Sequence, residues 1–79
     1  MDWPDRYAAA LELELTDDEI DTILDLARDV AHATERRWAP VSAYLAGRYV
    51  AGQVERGTSP SAALEQAAEV ARRLATPNA

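Results

Sequence analysis

Apolar residues recur every three or four positions along most of the chain, which is the spacing of amphipathic helices. This pattern predicts helices at about residues 3–13, 17–37, 40–56 and 60–75, followed by a short tail at 76–79. Apolar and polar residues alternate from 11 to 15, but no second strand pattern is present to pair with that stretch. The sequence therefore predicts one all-α domain over residues 1–79, a compact bundle of four helices.

The predicted helix starts are supported by local signals. Thr16 and Glu19 match a capping box, in which each side chain accepts a hydrogen bond from the backbone N–H of the other residue. Ser59 before Pro60 predicts the start of the fourth helix, and Pro40 predicts the first residue of the third. Each of these starts therefore carries a residue type that favours a helix N-terminus.

The helical spacing also predicts which faces form the core. The inward residues of the first helix are Trp3, Tyr7, Ala10 and Leu11. Those of the second are Ile20, Ile23, Leu24, Ala27, Val30, Ala31 and Thr34, and those of the fourth are Leu64, Ala67, Ala68, Ala71, Leu74 and Ala75. We expect these faces to pack against one another, because each is an apolar stripe on an otherwise polar helix.

The third helix is apolar on nearly every side, since Arg48 is the only charge between residues 40 and 54. A helix of that kind is normally buried on more than one side. Its small residues recur every four positions and, together with Tyr44, predict a strip that packs closely on the second and fourth helices. The small residues are Ala43, Gly47 and Ala51.

Leu45 and Tyr49 lie on nearly the opposite side of the third helix and are predicted to stay uncovered. Exposed apolar surface of this kind usually marks an interface. Two-fold dimers are the commonest closed assemblies of a single chain. We therefore expect Leu45 and Tyr49 to lie at the interface of a homodimer, or of a complex with another protein subunit.

The composition excludes several classes of protein. The chain has no Cys and one His, which leaves no thiolate nucleophile, no disulfide and no His-rich metal cluster. Its net charge of −6 argues against a nucleic-acid partner, which would require a basic face. No apolar run reaches the ~18 residues of a transmembrane helix, and the N-terminus does not resemble a signal peptide. We expect an acidic, cytoplasmic protein without a membrane partner.

The charge is divided unevenly along the chain. Residues 1–25 contain nine acidic residues and one Arg, a net charge of −8. Residues 26–79 contain seven Arg and five acidic residues, a net charge of +2. Such an asymmetry can orient a molecule on a partner that has a complementary field.

One charged face of the second helix is the candidate for ligand chemistry. Arg28, His32 and Arg36 share it and could contact an anion or a cofactor, although the same spacing suits a solvated face with ordinary ion pairs. Asp29 and His32 have the spacing of carboxylate–histidine pairs in di-iron bundles, but no clear inward-facing Glu completes such a site. We therefore predict no catalytic residue, no bound metal and no cofactor.

Two segments resemble a known family. Residues 24–32 read LDLARDVAH, and residues 39–47 read APVSAYLAG. Both are similar to motifs of a small bacterial helical domain of unknown function, which occurs alone or fused to molybdenum-cofactor guanylyltransferases. Ser42, Ala43 and Tyr44 depart from the resemblance, because the family tends to have Thr, Thr and Phe there.

By this resemblance, Arg28, His32, Arg37 and Pro40 are the positions at which function is expected. Together with Arg36, the first three form the predicted ligand-binding or partner-binding set. The family has no established activity, so the resemblance implies a context and not a reaction.

The sequence thus predicts a non-catalytic accessory or protein-interaction domain, linked to molybdenum-cofactor biosynthesis or to molybdoenzymes. The alternative is a small-ligand or metal-binding helical protein that uses the face of Asp29 and His32.

Overall fold

The computed structural model describes residues 2–75 of the chain. It contains four helices, namely α1 Trp3–Ala10, α2 Asp17–Ala33, α3 Trp38–Glu55 and α4 Pro60–Ala75, and no strand within that range. The predicted all-α bundle is therefore confirmed. Helices α2, α3 and α4 each pack against the other two, whereas α1 contacts none of them in the part of the chain that the structure describes. The tail predicted at 76–79 lies outside the described residues.

The starts of α2 and α4 have the predicted caps. The backbone N–H of Glu19 donates to Thr16 Oγ1 at 3.1 Å, and the backbone N–H of Thr16 donates to Glu19 Oε1 at 2.9 Å. At α4, the backbone N–H of Ala62 donates to Ser59 Oγ at 3.2 Å. These bonds satisfy backbone donors that the first turn of a helix leaves without partners.

Helix α2 ends four residues before the predicted position, at Ala33. Thr34 leaves the helical conformation with φ −130° and ψ −121°, and its hydroxyl donates to the carbonyl of Val30 at 2.7 Å. Helix α3 then begins at Trp38, two residues before Pro40. Proline is tolerated there because the N–H groups of the first turn have no partner within the helix.

Helices α1 and α3 end in the same Schellman motif but with different residues at its left-handed position. In α3 that residue is Gly57, with φ 95°, and in α1 it is Glu12, with φ 60°. The backbone N–H of Leu13 closes the motif of α1 on the carbonyl of Ala8 at 2.9 Å. Helix α1 therefore ends at Ala10 instead of the predicted 13, and Glu12 adopts a conformation that costs a non-glycine residue on the order of 1 kcal/mol.

The core lies between α2, α3 and α4 and is made largely of small side chains. Among residues 2–75, the buried apolar residues are Leu26, Ala46, Ala63, Leu64 and Ala68. Ile23, Val30, Val50, Ala67 and Ala71 pack around them. Leu64, Ala67, Ala68 and Ala71 were predicted on the inner face of α4, and this is confirmed.

Several predicted core positions are wrong. On α2, Ile23 and Val30 pack against the core as predicted, but Leu24 is 61% exposed and Leu26, which was not predicted, is buried. Leu74, at the end of α4, is 83% exposed because no other element covers it. The predicted inner face of α1 is also exposed, because α1 has no helix to pack against within the described residues.

The inner face of α3 is likewise displaced from the prediction. Ala46 is buried and Val50 packs beside it, whereas Tyr44 and Gly47 are exposed. A Cβ atom placed on Gly47 would meet no atom within 4 Å, so the small residues do not serve a close helix contact. Of the predicted strip, Tyr44, Gly47 and Ala51 are exposed and Ala43 is half-buried, so the strip does not form the core. An all-round apolar sequence cannot reveal which of its faces is buried.

Leu26 and Leu24 form a matched pair that tests this core. We expect Leu26→Ala to lower the free energy of unfolding by about 2–5 kcal/mol, because it leaves a cavity among packed side chains. Leu24→Ala should change it by ~0.5 kcal/mol or less, because that side chain lies in solvent. Urea denaturation followed by circular dichroism measures both, and equal losses would contradict the described core.

Candidate functional site

A groove of about 330 Å³ lies between α3 and α4. Its lining consists of Leu26, Ser42, Leu45, Ala46, Tyr49, Ala67, Val70, Ala71 and Leu74. The buried residues Leu26 and Ala46 lie at its floor, whereas Leu45, Val70 and Leu74 are exposed at its edges. The groove is thus an apolar trough that opens to solvent.

A second hollow, of about 260 Å³, continues this groove toward the start of α3. The two share Ser42, Ala71 and Leu74. The second hollow is bordered by Trp38 and by the end of α2. We call the two together the furrow. Among its lining residues Tyr49 is the only ionisable one, and the Tyr49 hydroxyl donates to Gln66 Oε1 at 2.9 Å.

The structure places both predicted interface residues in the furrow. Leu45 is 54% exposed and Tyr49 is 42% exposed, as expected for side chains that no other helix covers. The sequence did not indicate that Val70 and Leu74 of α4 complete the same surface. Val70 and Leu74 are four residues apart and therefore lie on the same side of α4, which could have indicated this surface. The helical period instead predicted Leu74 in the core.

A polar hollow of about 770 Å³ lies where the ends of α2 and α4 meet. It is lined by Asp29, His32, Ala33, Thr34, Arg72, Leu74 and Ala75. Arg72 donates to Glu69 Oε2 at 2.7 Å, and this bond raises the pKa of its guanidinium above the usual value. Helix α4 therefore adds a cation to the predicted face of Asp29 and His32.

The other three residues of the predicted binding set do not line the polar hollow. Arg28 pairs with Asp25 at 3.3 Å and approaches Asp29 at 3.9 Å, on the exposed side of α2. The Arg37 guanidinium lies 4.6 Å from the centre of the Trp38 ring. Arg36 is exposed in the turn before α3. Of the four predicted residues, the structure thus brings only His32 to this hollow. The ion pairs of Arg28 are exposed, and exposed ion pairs contribute little to stability.

Asp29 and His32 are not joined by a third metal-ligating side chain in the part of the chain that the structure describes. Among residues 2–75, no group of three or more His, Asp or Glu side chains is arranged to hold a metal ion. Asp29 and His32 therefore offer at most two protein ligands, whereas metal sites in proteins usually have three or four.

The whole chain, residues 1–79, matches a family described as a domain of unknown function, DUF6457. The chain belongs to this family. No curated protein and no solved structure matches it. The sequence resemblance to a small domain of unknown function is confirmed to that extent. Within residues 2–75 of this DUF6457 domain, no helix is long and apolar enough to cross a membrane.

His32 provides a test of the polar hollow in this DUF6457 domain. We expect His32→Gln to leave the unfolding midpoint and the oligomeric state unchanged, because the side chain is exposed at the end of α2. Thermal unfolding and size exclusion with light scattering measure the two quantities. A loss of stability comparable to that of a core substitution would show that His32 has a structural role.

Proposed function

We propose that this DUF6457 domain is a non-catalytic protein-interaction domain that binds its partner through the furrow, and that the chain forms a homodimer. The observation that carries the proposal is the ring of exposed apolar side chains around an apolar trough, formed by Leu45, Tyr49, Val70 and Leu74. Isolated monomers seldom leave a continuous apolar patch in solvent, and patches of this kind mark interaction sites.

The small size of the core supports the same proposal. Three of the five buried apolar residues in the described chain are Ala, which contribute little apolar area. Fourteen large apolar side chains remain more than a third exposed within residues 2–75. Burial of apolar surface contributes roughly 25 cal/mol per Å², so an association that covers these side chains adds stability that the short chain lacks alone.

The chemistry of the furrow favours binding over catalysis. Apart from the Tyr49 phenol, its lining has no acid, base or charged group. General acid–base catalysis needs a titratable side chain at the reacting atoms. A surface of hydrocarbon and three hydroxyl groups is suited to binding a protein partner and not to catalysis.

We further propose that the domain acts in the cytoplasm, in molybdenum-cofactor biosynthesis or with molybdoenzymes. The link to molybdenum rests on the resemblance carried by the motifs at 24–32 and 39–47. In the native host, a tagged chain should co-purify with a molybdenum-cofactor guanylyltransferase, identified by mass spectrometry. An untagged strain is the control. Absence of that enzyme from the wild-type preparation would remove this context and leave the dimer to be judged separately.

Leu45→Glu tests the furrow as an interface. We expect this change to convert the dimer to a monomer, because it places an unpaired charge at an apolar contact. Leu24→Glu is the matched control, since Leu24 is similarly exposed on α2 but does not line the furrow. Light scattering after size exclusion, at several concentrations, gives the mass, and circular dichroism verifies the fold. A wild-type chain that stays monomeric at high concentration would contradict the homodimer.

A second candidate function is small-ligand or metal binding in the polar hollow. The observation in its favour is that Asp29, His32 and Arg72 converge there from two helices. Native mass spectrometry of the purified protein distinguishes the two functions. A bound metal or small molecule that His32→Gln removes would support the second, and an unliganded dimer would support the first.

A further inference from the structure

Helix α1 has an apolar face with nothing against it. Trp3, Tyr7 and Leu11 follow one another at intervals of four residues, so they lie along one side of the helix. All three are more than half exposed. The rings of Trp3 and Tyr7 are stacked, with centroids 5.3 Å apart and planes inclined by 14°. Together they present a continuous apolar surface about two turns long.

A helix of this length needs a surface to bind. Helix α1 has eight residues, and isolated helices shorter than about 12 residues are only marginally stable in water. Its C-terminal turn also holds Glu12 at φ 60°, which adds strain. No other helix packs against α1 within residues 2–75. A contact outside the bundle formed by α2, α3 and α4 would therefore stabilise α1.

The furrow has the dimensions and chemistry to receive α1. It extends along α3 from Trp38 to Tyr49, which at 1.5 Å per residue is about 16 Å. The stripe from Trp3 to Leu11 is about 12 Å long by the same measure. An amphipathic helix that places anchors four residues apart into an apolar groove is a recurrent mode of recognition.

The furrow of the same chain is difficult for α1 to reach. Between the Schellman motif and the capping box, only residues 13–15 connect α1 to α2, and three residues extend about 10 Å at most. The furrow opens between α3 and α4, and Leu26 of α2 lies at its floor. To enter it, α1 would have to pass around a helix that is about 10 Å in diameter. A second copy has no such restriction.

The charge distribution favours a second copy of this chain. The segment that carries α1, residues 1–15, has four acidic residues and one Arg, a net charge of −3, whereas residues 26–79, which contain every residue that lines the furrow, have a net charge of +2. In a reciprocal exchange each acidic segment lies against the more basic part of the other copy. The two complementary contacts then add, and they also oppose a parallel arrangement that would bring the two acidic segments together.

We infer that two copies exchange their first helices, so that Trp3, Tyr7 and Leu11 of each copy occupy the furrow of the other. This rests on the proposed function, since it uses the same furrow. The three side chains of the stripe and the four around the furrow, Leu45, Tyr49, Val70 and Leu74, each expose roughly 100 Å². Covering them in both copies approaches the ~800 Å² per partner of a standard stable interface.

Tyr7→Glu tests the exchange. It should weaken the dimer at least tenfold in dissociation constant, measured by sedimentation equilibrium, because it places a charge in the middle of the stripe. Ala9→Glu is the matched control: it adds the same charge to α1 but about 200° around the helix from Tyr7, and it should change the constant less than threefold. Equal effects of the two changes would contradict the exchange.

Cysteine cross-linking then identifies which furrow α1 occupies. The chain has no Cys, so Tyr7→Cys and Val70→Cys introduce unique thiols. A mixture of the two single variants should form a disulfide-linked pair after mild oxidation. If instead the double variant forms only an internal disulfide in a monomer, α1 binds its own furrow and the exchange is wrong. The absence of both cross-links would also overturn it.

These outcomes separate the exchange from the proposed function. If Leu45→Glu splits the dimer but Tyr7→Glu does not, the furrow is an interface and only the exchange is wrong. If neither change affects a wild-type dimer, both the exchange and the use of the furrow fail.

Discussion

The mutual packing of α2, α3 and α4 around Leu26 is the contact on which the rest of the structure depends. Leu26 lies against Ala46 of α3 and against Leu64 and Ala68 of α4 in one cluster. Because its neighbours are mostly small, three helices can converge on one leucine. The same composition limits the cluster to a few residues, and a core of this size contributes little apolar burial for a chain of 79 residues.

The exposed apolar surface follows from that small core. The large side chains of the protein, Trp3, Tyr7, Tyr44 and Leu74 among them, lie outside the cluster. They cannot all enter it, since overpacking a filled core costs ~1–3 kcal/mol or more per change. The protein therefore carries its largest apolar groups where a partner can cover them. In the proposed dimer, stability and interaction would draw on the same surface.

The connections between helices place that surface. The capping box at Thr16 fixes the start of α2, and the hydroxyl of Thr34 ends it. Gly57 turns the chain between α3 and α4 without strain, whereas Glu12 makes the corresponding turn after α1 at a cost. A strained turn persists only where surrounding contacts compensate for it. Packing between α3 and α4 surrounds the turn at Gly57, and for the turn at Glu12 the proposed exchange of α1 would supply the contacts.

The sequence by itself determined the four helices of this fold and the starts of α2 and α4. Capping residues such as Thr16 and Ser59 act on backbone groups within three residues, so a local pattern is sufficient to place them. The apolar period of α4 was also sufficient to find Leu64 and Ala68. The apolar pattern of α3 likewise predicted that Leu45 and Tyr49 are left uncovered.

Only the tertiary structure decided which apolar residues are covered. In α2 the periodicity placed Leu24 in the core, but the positions of α3 and α4 bury Leu26 instead. In α3 nearly every face is apolar, so the choice of Ala46 over Gly47 depends on where the neighbouring helices lie. The furrow and the polar hollow each combine residues that lie more than 20 positions apart in sequence, such as Leu45 with Val70 and His32 with Arg72. Burial is a property of several helices at once, and the period of one helix describes that helix alone.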